Sequence, residues 1–190
     1  MNNDLMSKLL ILIKKDFFRY YGRLSLFLFI RTLYVPSYRY LFYLRLIQSS
    51  MPLPLKYLFI ILKYRCSRKY GFQIPNTTKI GGGLYIGHYG TIVINESATI
   101  GENCNITHNV TIGQTNRGKL KGTPIIGSGV WIGSGVVIVG GITIGDNVLI
   151  APNSYVNCNI PSDSLVYGNP CIIKHSTKAC DNYIENILYE

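Results

Sequence analysis

Aliphatic side chains recur at every sixth position over residues 74–161, with two interruptions, and the segments between them are rich in glycine and polar residues. Most six-residue units also carry a small or apolar residue four positions after the first one. Glycine often comes second in the unit, as in Ile80-Gly81, Ile100-Gly101 and Ile132-Gly133. The thirteen first residues are Ile74, Ile80, Ile86, Ile94, Ile100, Ile106, Ile112, Ile126, Ile132, Ile138, Ile144, Ile150 and Val156. Self-similarity at a fixed period is typical of a solenoid.

Each unit of this pattern supplies a short strand and a turn, so that three units make one triangular coil. The first residues of the units then stack inside the coil, and the polar turn residues face outward. Successive coils lie about 4.8 Å apart, which is the spacing of neighbouring β-strands. The sequence therefore predicts a mainly β protein, with a parallel β-helix of hexapeptide repeats over residues 73–174.

The repeat is interrupted at two places. Ile94 comes eight positions after Ile86 instead of six, and the two extra residues lie beside His88-Tyr89-Gly90. Ile126 comes fourteen positions after Ile112, so that a polar and basic loop within residues 114–124 leaves the coil. Insertions in a regular solenoid map to its functional face. Both interruptions are therefore candidate parts of an active site.

The first 72 residues predict an α-helical segment instead of repeats. Apolar residues at helical spacing predict helices at about 4–21, 24–34, 38–49 and 55–69, with Gly22 as a stop and Ser37 as the N-cap of the third helix. No apolar run reaches 18 residues, so we expect no membrane-spanning helix. The start of the chain lacks the features of a cleavable signal peptide. Residues 175–190 predict a polar C-terminal tail or a short final helix.

Charge divides the chain in the same way. Residues 1–73 contain thirteen Lys or Arg and two Asp, whereas the remainder contains six Lys or Arg and seven Asp or Glu. Nine of the fifteen tyrosines also lie in the first segment. This basic, aromatic segment has three interpretations: a cap on the open end of the solenoid, an attachment of residues 1–70 to an anionic membrane surface, or a nucleic-acid site. No motif supports the last, and we expect no nucleic-acid partner.

The five cysteines are scattered and form neither a CxxC pair nor a metal-ligand spacing. This pattern favours a reducing compartment, and so a cytoplasmic protein, with a peripheral position at the inner face of the membrane as an open alternative. Cys104 falls at an inward position of its repeat and is predicted to be a small buried residue. We expect no metal site.

Two histidines share a position in the repeat. His88 is the second residue after Ile86, and His108 is the second residue after Ile106. Three units separate them once the extra pair is allowed for, so we expect them on one face, one coil apart and pointing outward. An imidazole titrates near neutrality, which suits a general base acting on a hydroxyl. His88 is the stronger candidate because the repeat is irregular beside it, whereas His108 is equally well explained as a solvated turn residue.

The order and spacing of several motifs resemble the hexapeptide-repeat acetyltransferases, and within them the serine acetyltransferase branch. The matching stretches are Lys79-Ile80-Gly81, residues 86–96 around Gly87-His88-Tyr89-Gly90, Val110-Thr111-Ile112-Gly113, the 114–124 loop, Ile132-Gly133-Ser134-Gly135 and Gly168-Asn169-Pro170. The resemblance covers about residues 73–174 and implies a left-handed parallel β-helix, acetyl-CoA as the acetyl donor and a homotrimer with active sites between neighbouring prisms.

The same resemblance implies roles for individual residues. His88 aligns with the catalytic base of the family, and Gln73, Asn95, Glu96 and His108 are candidates for orienting the base or contacting the acceptor. Contacts to acetyl-CoA carry over to Gly113, Gln114, Thr115, Gly133, Ser134, Ala151, Pro152 and Lys174, the last as a partner of a phosphate.

The departures from serine acetyltransferases concern the acceptor. Gly87 stands where those enzymes carry an aspartate before the histidine, Val35 stands for the aspartate of an Asp-Pro, and Gly122-Thr123 stand for an Arg-His pair. Gln73 replaces the aspartate that orients the base. An amino acid would lose charge-assisted hydrogen bonds, each worth about 1.5–3 kcal/mol. We therefore expect an O-acetyltransferase for a sugar hydroxyl in surface or capsular polysaccharide biosynthesis, and a lipid-linked glycan is one form that the acceptor can take. The alternatives are serine O-acetylation for cysteine biosynthesis and a non-catalytic trimeric scaffold.

Overall fold

The computed structural model describes residues 3–189, so Met1, Asn2 and Glu190, at the ends of the predicted helical segment and tail, lie outside the described residues. Four helices come first: α1 (Asn3–Tyr21), α2 (Leu26–Thr32), α3 (Pro36–Gln48) and α4 (Leu53–Tyr70). All four predicted helices are present. Gly22 ends α1 with a left-handed φ of 62°, as predicted.

The predicted N-cap of the third helix is wrong. The N-cap residue is Val35, and Pro36 occupies the first turn. Proline is favoured there because its φ is already helical and no hydrogen-bond partner is needed for its nitrogen. Ser37 lies instead inside α3, buried, with its Oγ 3.2 Å from the hydroxyl of Tyr20.

Fifteen short strands follow within the described residues, and each has two to four residues. In chain order they are β1 (Phe72–Gln73), β2 (Lys79–Ile80), β3 (Tyr85–Ile86), β4 (Ile92–Ile94), β5 (Thr99–Ile100), β6 (Asn105–Ile106), β7 (Val110–Gly113), β8 (Ile125–Ile126), β9 (Trp131–Ile132), β10 (Val137–Val139), β11 (Thr143–Ile144), β12 (Val148–Ile150), β13 (Tyr155–Val156), β14 (Ser164–Tyr167) and β15 (Ile172–His175).

From β1 to β13, every third strand belongs to the same sheet, and β14 and β15 then extend the sheet of β12. Sheet A has the order β1-β4-β7-β10-β13, sheet B has β2-β5-β8-β11, and sheet C has β3-β6-β9-β12-β14-β15. All pairs are parallel except β14 with β15, which is antiparallel. The three sheets form the sides of a β-solenoid, and the predicted coil of three units is confirmed.

The solenoid interior is made of the aliphatic residues that recur at every sixth position. Each of the thirteen first residues is at most 9% exposed, and Cys104 is fully buried, as predicted. Burial raises the pKa of the Cys104 thiol to about 12. The repeat therefore produces one continuous apolar core along the axis.

The helical segment closes the open end of this core. Tyr40, Leu41 and Leu44 of α3 are buried and belong to the same apolar cluster as the solenoid interior. Arg45 and Asp16, both buried, form an ion pair with Nε 2.8 Å from Oδ2. The predicted capping role is confirmed, because α3 covers apolar side chains that a terminal coil would otherwise expose.

After β15, residues 177–183 form turns and residues 185–189 have no regular secondary structure, so of the two alternatives for this segment the short final helix is wrong. Ala179 and Cys180 are buried against Leu149 and Trp131 on the outside of sheet C. Tyr183 adds an edge contact to Trp131, with ring centroids 4.9 Å apart. The segment is therefore a packed cover of sheet C. No helix within residues 3–189 combines the length and the apolar character that crossing a membrane requires.

Candidate active site

His88 lies in the connection from β3 to β4, which contains the two extra residues and is called the insertion below, and its side chain is exposed. The end of α4 holds this insertion in place. Gly71, with a φ of 81°, accepts a hydrogen bond from the backbone N–H of Ile92 at 3.1 Å. A Cβ on Gly71 would lie 3.1 Å from the backbone nitrogen of Thr91. Helix α4 and the insertion therefore meet at Gly71, where the positive φ and the close backbone require a residue without a Cβ.

His108 lies directly beside His88 on the next coil. Ile86 pairs with Ile106, and the two imidazole rings have centroids 5.7 Å apart and planes at 85°. The predicted placement on one face, one coil apart, is confirmed. His108 is half-buried, however, and its Nδ1 is buried with no hydrogen-bond partner among the described residues. It is thus no solvated turn residue.

The insertion folds over His108 at Gly90. A Cβ on Gly90 would lie 2.9 Å from the Cβ of His108, and the φ of Gly90 is +150°. A side chain at this position would push the insertion away from the coil. Gly90 therefore allows the close approach of the two histidines.

A wall of aromatic and cationic side chains flanks the insertion on the helical side. The rings of Tyr89 and Tyr70 have centroids 5.4 Å apart, and Arg39 of α3 donates to the hydroxyl of Tyr70 at 3.5 Å. The Lys69 ammonium lies 5.3 Å from the centroid of the Tyr70 ring. Sequence reasoning missed this group. Its only signal was that Tyr89 belongs to the irregular unit.

Two predicted acetyl-CoA contacts continue the edge on which the histidines lie. Gly133-Ser134 and Ala151-Pro152 follow β9 and β12, at the turns that stack above His108. The backbone N–H of Gly135 donates to the His108 carbonyl at 3.1 Å, and that of Asn153 donates to the Ser134 carbonyl at 2.8 Å. The structure thus brings these turns and the histidines into one column.

Small residues are required in this column. A Cβ on Gly133 would lie 2.7 Å from the backbone nitrogen of Pro152. Lys174 of β15 lies near the top of the column, where its Nζ is 5.6 Å from the centroid of the Tyr167 ring. Its side chain is exposed, so it can contact a ligand.

The remaining predicted contacts lie at the other edge of sheet A. Gly113 ends β7, and Gln114 and Thr115 begin the loop. Asn95 follows β4 at this same edge, and its Nδ2 donates to the Oε1 of Gln114 at 3.3 Å. Asn95 and its neighbour Glu96 are therefore separated from His88 by the length of β4, and their roles stay predictions.

Gln73 occupies sheet A between these two edges. It pairs with Val93 and borders a cavity of about 400 Å³ that Lys63 and Tyr64 of α4 also line. Within residues 3–189, no hydrogen bond joins Gln73 to His88. Burial lowers the pKa of Lys63 to about 8, although its ammonium donates to the Ile74 carbonyl at 2.6 Å. The predicted orientation of the base by Gln73 stays a prediction.

The 114–124 loop is a small hairpin folded onto the next coil. Thr115 and Gly122 exchange two backbone hydrogen bonds of 3.0 Å, and the N–H of Gly141 donates to the Leu120 carbonyl at 2.9 Å. Arg117, Lys119 and Lys121 are exposed on it. The loop therefore presents positive charge beside Gly113 and Gln114.

The described residues offer an imidazole site rather than a metal site. Among residues 3–189, no group of three or more His, Cys, Asp or Glu side chains could hold a metal ion. In that same range, neither His88 nor His108 is hydrogen-bonded to a carboxylate. The arrangement can accept a proton at His88 next to turns whose backbone a ligand can approach closely.

Comparison with known proteins agrees with this geometry. Residues 123–164 match the family described as bacterial transferase hexapeptide (six repeats). Serine acetyltransferase 4 of Arabidopsis thaliana is 35% identical over 115 residues, which are 60% of this chain and 32% of the relative. Serine acetyltransferase of Staphylococcus aureus (strain Mu50) is 42% identical over 100 residues, which are 53% of this chain and 47% of the relative.

A solved structure covers almost the whole chain. Serine acetyltransferase from Brucella abortus strain S19, in complex with coenzyme A, superposes with a TM-score of 0.71 at 28% identity, and the match covers 92% of this chain and 69% of that one. The repeat over residues 123–164 is thus that of a hexapeptide transferase, and the chain is similar to serine acetyltransferases. It matches less than half of the length of the two sequence relatives named above.

Proposed function

We propose that this chain is an O-acetyltransferase that moves an acetyl group from acetyl-CoA to a hydroxyl, with His88 as the general base. The observation that carries the proposal is the column that begins with exposed His88, stacked on His108, and continues through the turns at Gly133 and Ala151. The likeness to a serine acetyltransferase solved with coenzyme A supports the choice of donor. A scaffold would need neither the exposed imidazole nor the tight glycines beside it.

The reaction follows from the position of His88. The neutral imidazole accepts the proton of the acceptor hydroxyl while the oxygen attacks the thioester carbonyl, so that a C–O bond forms. Backbone N–H groups of the adjacent turns can stabilise the oxyanion of the tetrahedral intermediate. Collapse of this intermediate breaks the C–S bond, and the imidazolium returns the proton to the sulfur of CoA.

The donor would lie along sheet A. Gly133, Ser134, Ala151 and Pro152 have little side-chain bulk, so a pantetheine arm can approach the backbone there. Gly113, Gln114 and Thr115 would contact it at the loop. Lys174, held over Tyr167, would meet a phosphate as a point charge.

L-Serine is the first candidate acceptor. The relatives named above are serine acetyltransferases, and the superposition with one of them covers 92% of this chain. In this proposal the amino acid is held by groups other than the aspartates and the Arg-His pair that Gly87, Val35, Gly122 and Thr123 replace.

A sugar hydroxyl is the second candidate, and one observation favours it. The side chains beside the insertion are the aromatic rings of Tyr70 and Tyr89 and the guanidinium of Arg39. No carboxylate in the described part of the chain is bonded to this group, so an ammonium would lack a partner. A neutral glycan, free, nucleotide-linked or lipid-linked, needs no such partner and can pack on aromatic faces. With such an acceptor, the enzyme would act in surface or capsular polysaccharide biosynthesis.

Assembly and location are further parts of the proposal. We propose a homotrimer, because sheet A presents half-buried Val93, Val137 and Tyr155 on a flat outer side beside the site. We propose a cytoplasmic location, since five scattered cysteines favour a reducing compartment.

The test is release of CoA from acetyl-CoA by the purified full chain, followed by chromatography, with L-serine and a panel of oligosaccharides as acceptors. His88→Ala should lose at least about 100-fold in kcat/KM if general-base catalysis has its usual size. His175→Ala is the matched control, because that histidine is exposed on β15 and outside the column.

The acceptor follows from the same assay. Turnover of L-serine alone assigns the amino acid, and turnover of a glycan alone assigns the sugar. If neither is used, lipid-linked glycans are tested next. Full activity of His88→Ala, or no binding of acetyl-CoA by calorimetry, would overturn the proposal.

A further inference from the structure

An apolar surface that the described residues leave exposed lies on the outside of the helices. We define the outer helical surface as six exposed side chains: Leu26, Phe27 and Ile30 of α2, and Tyr57, Ile61 and Tyr64 of α4. Each is between 51% and 76% exposed. On α4 the three are three, four or seven residues apart. On α2, Leu26 and Phe27 are adjacent and Ile30 follows one turn later, so each set covers one broad helical face. Six large apolar or aromatic side chains are therefore exposed on these two helices.

The two halves of this surface adjoin. A chain of ring contacts runs from Phe29 of α2 through Phe42 and Tyr43 of α3 to Phe59 of α4, with centroid distances of 5.8, 6.3 and 5.8 Å. The opposite side of α3 packs on the solenoid. Helices α2 and α4 thus flank the outer side of α3, and only Tyr64 of the six also borders sheet A, at the cavity beside Gln73.

The charge around this surface has one sign. From residue 17 to residue 95 the chain contains no Asp or Glu. Arg23 and Arg31 flank the α2 half, and Arg65, Arg68 and Lys69 flank the α4 half, and all five are exposed. Asp16, the nearest acidic residue before this stretch, is buried in its ion pair with Arg45. Nothing on these helices neutralises the basic side chains.

We infer that the outer helical surface binds an anionic phospholipid membrane as a peripheral attachment site. Helices that combine basic residues with a face of Leu, Ile, Phe and Tyr lie in the interface of such membranes, with the apolar face in the acyl boundary. A second copy of the chain is a poorer occupant, because two such surfaces would bring like charges together. A nucleic acid would leave the apolar side chains without a partner.

The attachment has a geometric consequence for the site. Helix α4 is 18 residues long and ends at Tyr70, whose ring contacts Tyr89 of the His88 insertion. Tyr64 and Arg68 are within two turns of that end. The membrane would therefore lie beside the histidine column, where an acceptor held at the lipid surface can reach it. Only this last step rests on the proposed function; the binding of lipid does not.

The experiment is sedimentation of the full chain with vesicles of phosphatidylcholine, alone or with 30 mol% phosphatidylglycerol (about one lipid in three, enough to give a negative surface potential). We expect binding to the anionic vesicles, weakened by added salt because salt screens the attraction. Arg31→Gln/Arg65→Gln/Arg68→Gln should lower the partition coefficient on the order of 100-fold. Phe27→Ser/Ile61→Ser should lower it at least about tenfold.

Matched controls use the same changes elsewhere. Arg117→Gln/Lys119→Gln/Lys121→Gln removes three exposed charges from the loop, and Ile125→Ser/Ile172→Ser removes two exposed isoleucines from sheets B and C. Both should bind vesicles as the unchanged chain does, and circular dichroism should report the same fold for all variants. Equal losses in the controls, or no binding to anionic vesicles, would overturn the inference.

Two other outcomes also decide against it. If Phe27→Ser/Ile61→Ser lowers the oligomeric state in sedimentation velocity without changing vesicle binding, the surface is a contact between copies. If the arginine variant loses affinity for single-stranded or duplex nucleic acid and not for vesicles, the basic residues serve that ligand instead. Loss of acetyl transfer in His88→Ala with normal vesicle binding would separate this inference from the proposed function.

Discussion

Arg45 of α3 and Asp16 of α1 form a buried ion pair that also ties the helices to the first coil. The guanidinium donates to the carbonyls of Ile80 and Gly81 at 2.7 and 2.6 Å, and Oδ1 of Asp16 accepts from the N–H groups of Gly83 and Leu84 at 2.8 and 3.0 Å. Both charged side chains thus bond to the backbone of the coil as well as to each other. Backbone atoms of a terminal coil thus find partners in side chains instead of a preceding coil.

Removing the guanidinium should destabilise the protein strongly. Arg45→Met leaves the Asp16 carboxylate buried without its counter-charge, so we expect a loss of about 3–5 kcal/mol in the free energy of unfolding. Urea denaturation followed by circular dichroism measures it. Arg31→Met, at an exposed position of α2, should change stability by less than about 0.5 kcal/mol. Equal effects of the two changes would contradict a structural role for the pair.

A methyl group at Gly90 should damage the active site while leaving the fold intact. Its Cβ would meet the Cβ of His108 at 2.9 Å, so the insertion must move and carry His88 with it. We expect kcat/KM of Gly90→Ala to fall about 100-fold, as displacements near 1 Å commonly cost.

The control for this change is Gly129→Ala. Gly129 also has a positive φ, of 63°, but its nearest neighbour would be 3.9 Å away, at a corner remote from the histidines. Both variants place an alanine at a positive φ, but only Gly90→Ala also brings its Cβ into a clash with His108. A similar loss of activity in both would argue against the role of Gly90.

Stability should decline in alkaline solution. Burial raises the pKa of Tyr20, Tyr38 and Tyr40 above the ordinary value of 10, and that of Cys104 to about 12. In the unfolded chain these groups ionise near 9 to 10, whereas in the folded chain they keep their protons. Their contribution is therefore complete below about pH 9 and is lost as the pH rises, at about 1.36 kcal/mol per pH unit for each group.

Lys63 acts in the opposite direction over part of this range. Burial lowers its pKa to about 8, so the folded chain releases this proton before the unfolded chain does. The free energy of unfolding should rise with pH from about 8 until the ordinary lysine value near 10.4. Urea midpoints between pH 7 and 11 should thus decline steeply only above pH 10. Lys63→Met should lose the rise and keep the decline.

The cysteines should differ sharply in reactivity. Cys158 and Cys171 are half-buried with their Sγ atoms 3.7 Å apart, whereas Cys104 is buried and remains a protonated thiol. Diamide should oxidise Cys158 and Cys171 to a disulfide with a mass loss of about 2 Da for two hydrogens, since their separation is within reach of a small rotation. Mass spectrometry should find Cys104 unmodified until the chain is unfolded. Oxidation of Cys104 at the same rate would contradict its burial.

The interior of the solenoid was predictable from local periodicity. Each first residue of a unit points inward for the same reason, and the register of Ile86 with Ile106 fixes that of His88 with His108. The helix start at Pro36 was missed because serine and proline at that point offer competing signals, a side-chain cap and a preset φ. Local chemistry of this kind seldom decides between neighbouring residues.

The wall beside His88 could not be predicted, for a different reason. It joins Arg39, Tyr70 and Tyr89 from α3, α4 and the insertion, and its formation depends on how the helices pack on the first coil. Only long-range contacts determine that arrangement. The burial of the Nδ1 of His108 is likewise set by Gly90, whose importance is visible only once the insertion is folded over the coil.

A single glycine, Gly71, separates the last residue of α4 from the first residue of β1. One residue in a fixed left-handed conformation, packed on the backbone of Gly90 and Thr91, leaves no room for a hinge. The helices and the insertion that bears His88 must therefore move as one unit. Any force on the helices, from a lipid bilayer or from a neighbouring protein, is transmitted to the position of the imidazole itself.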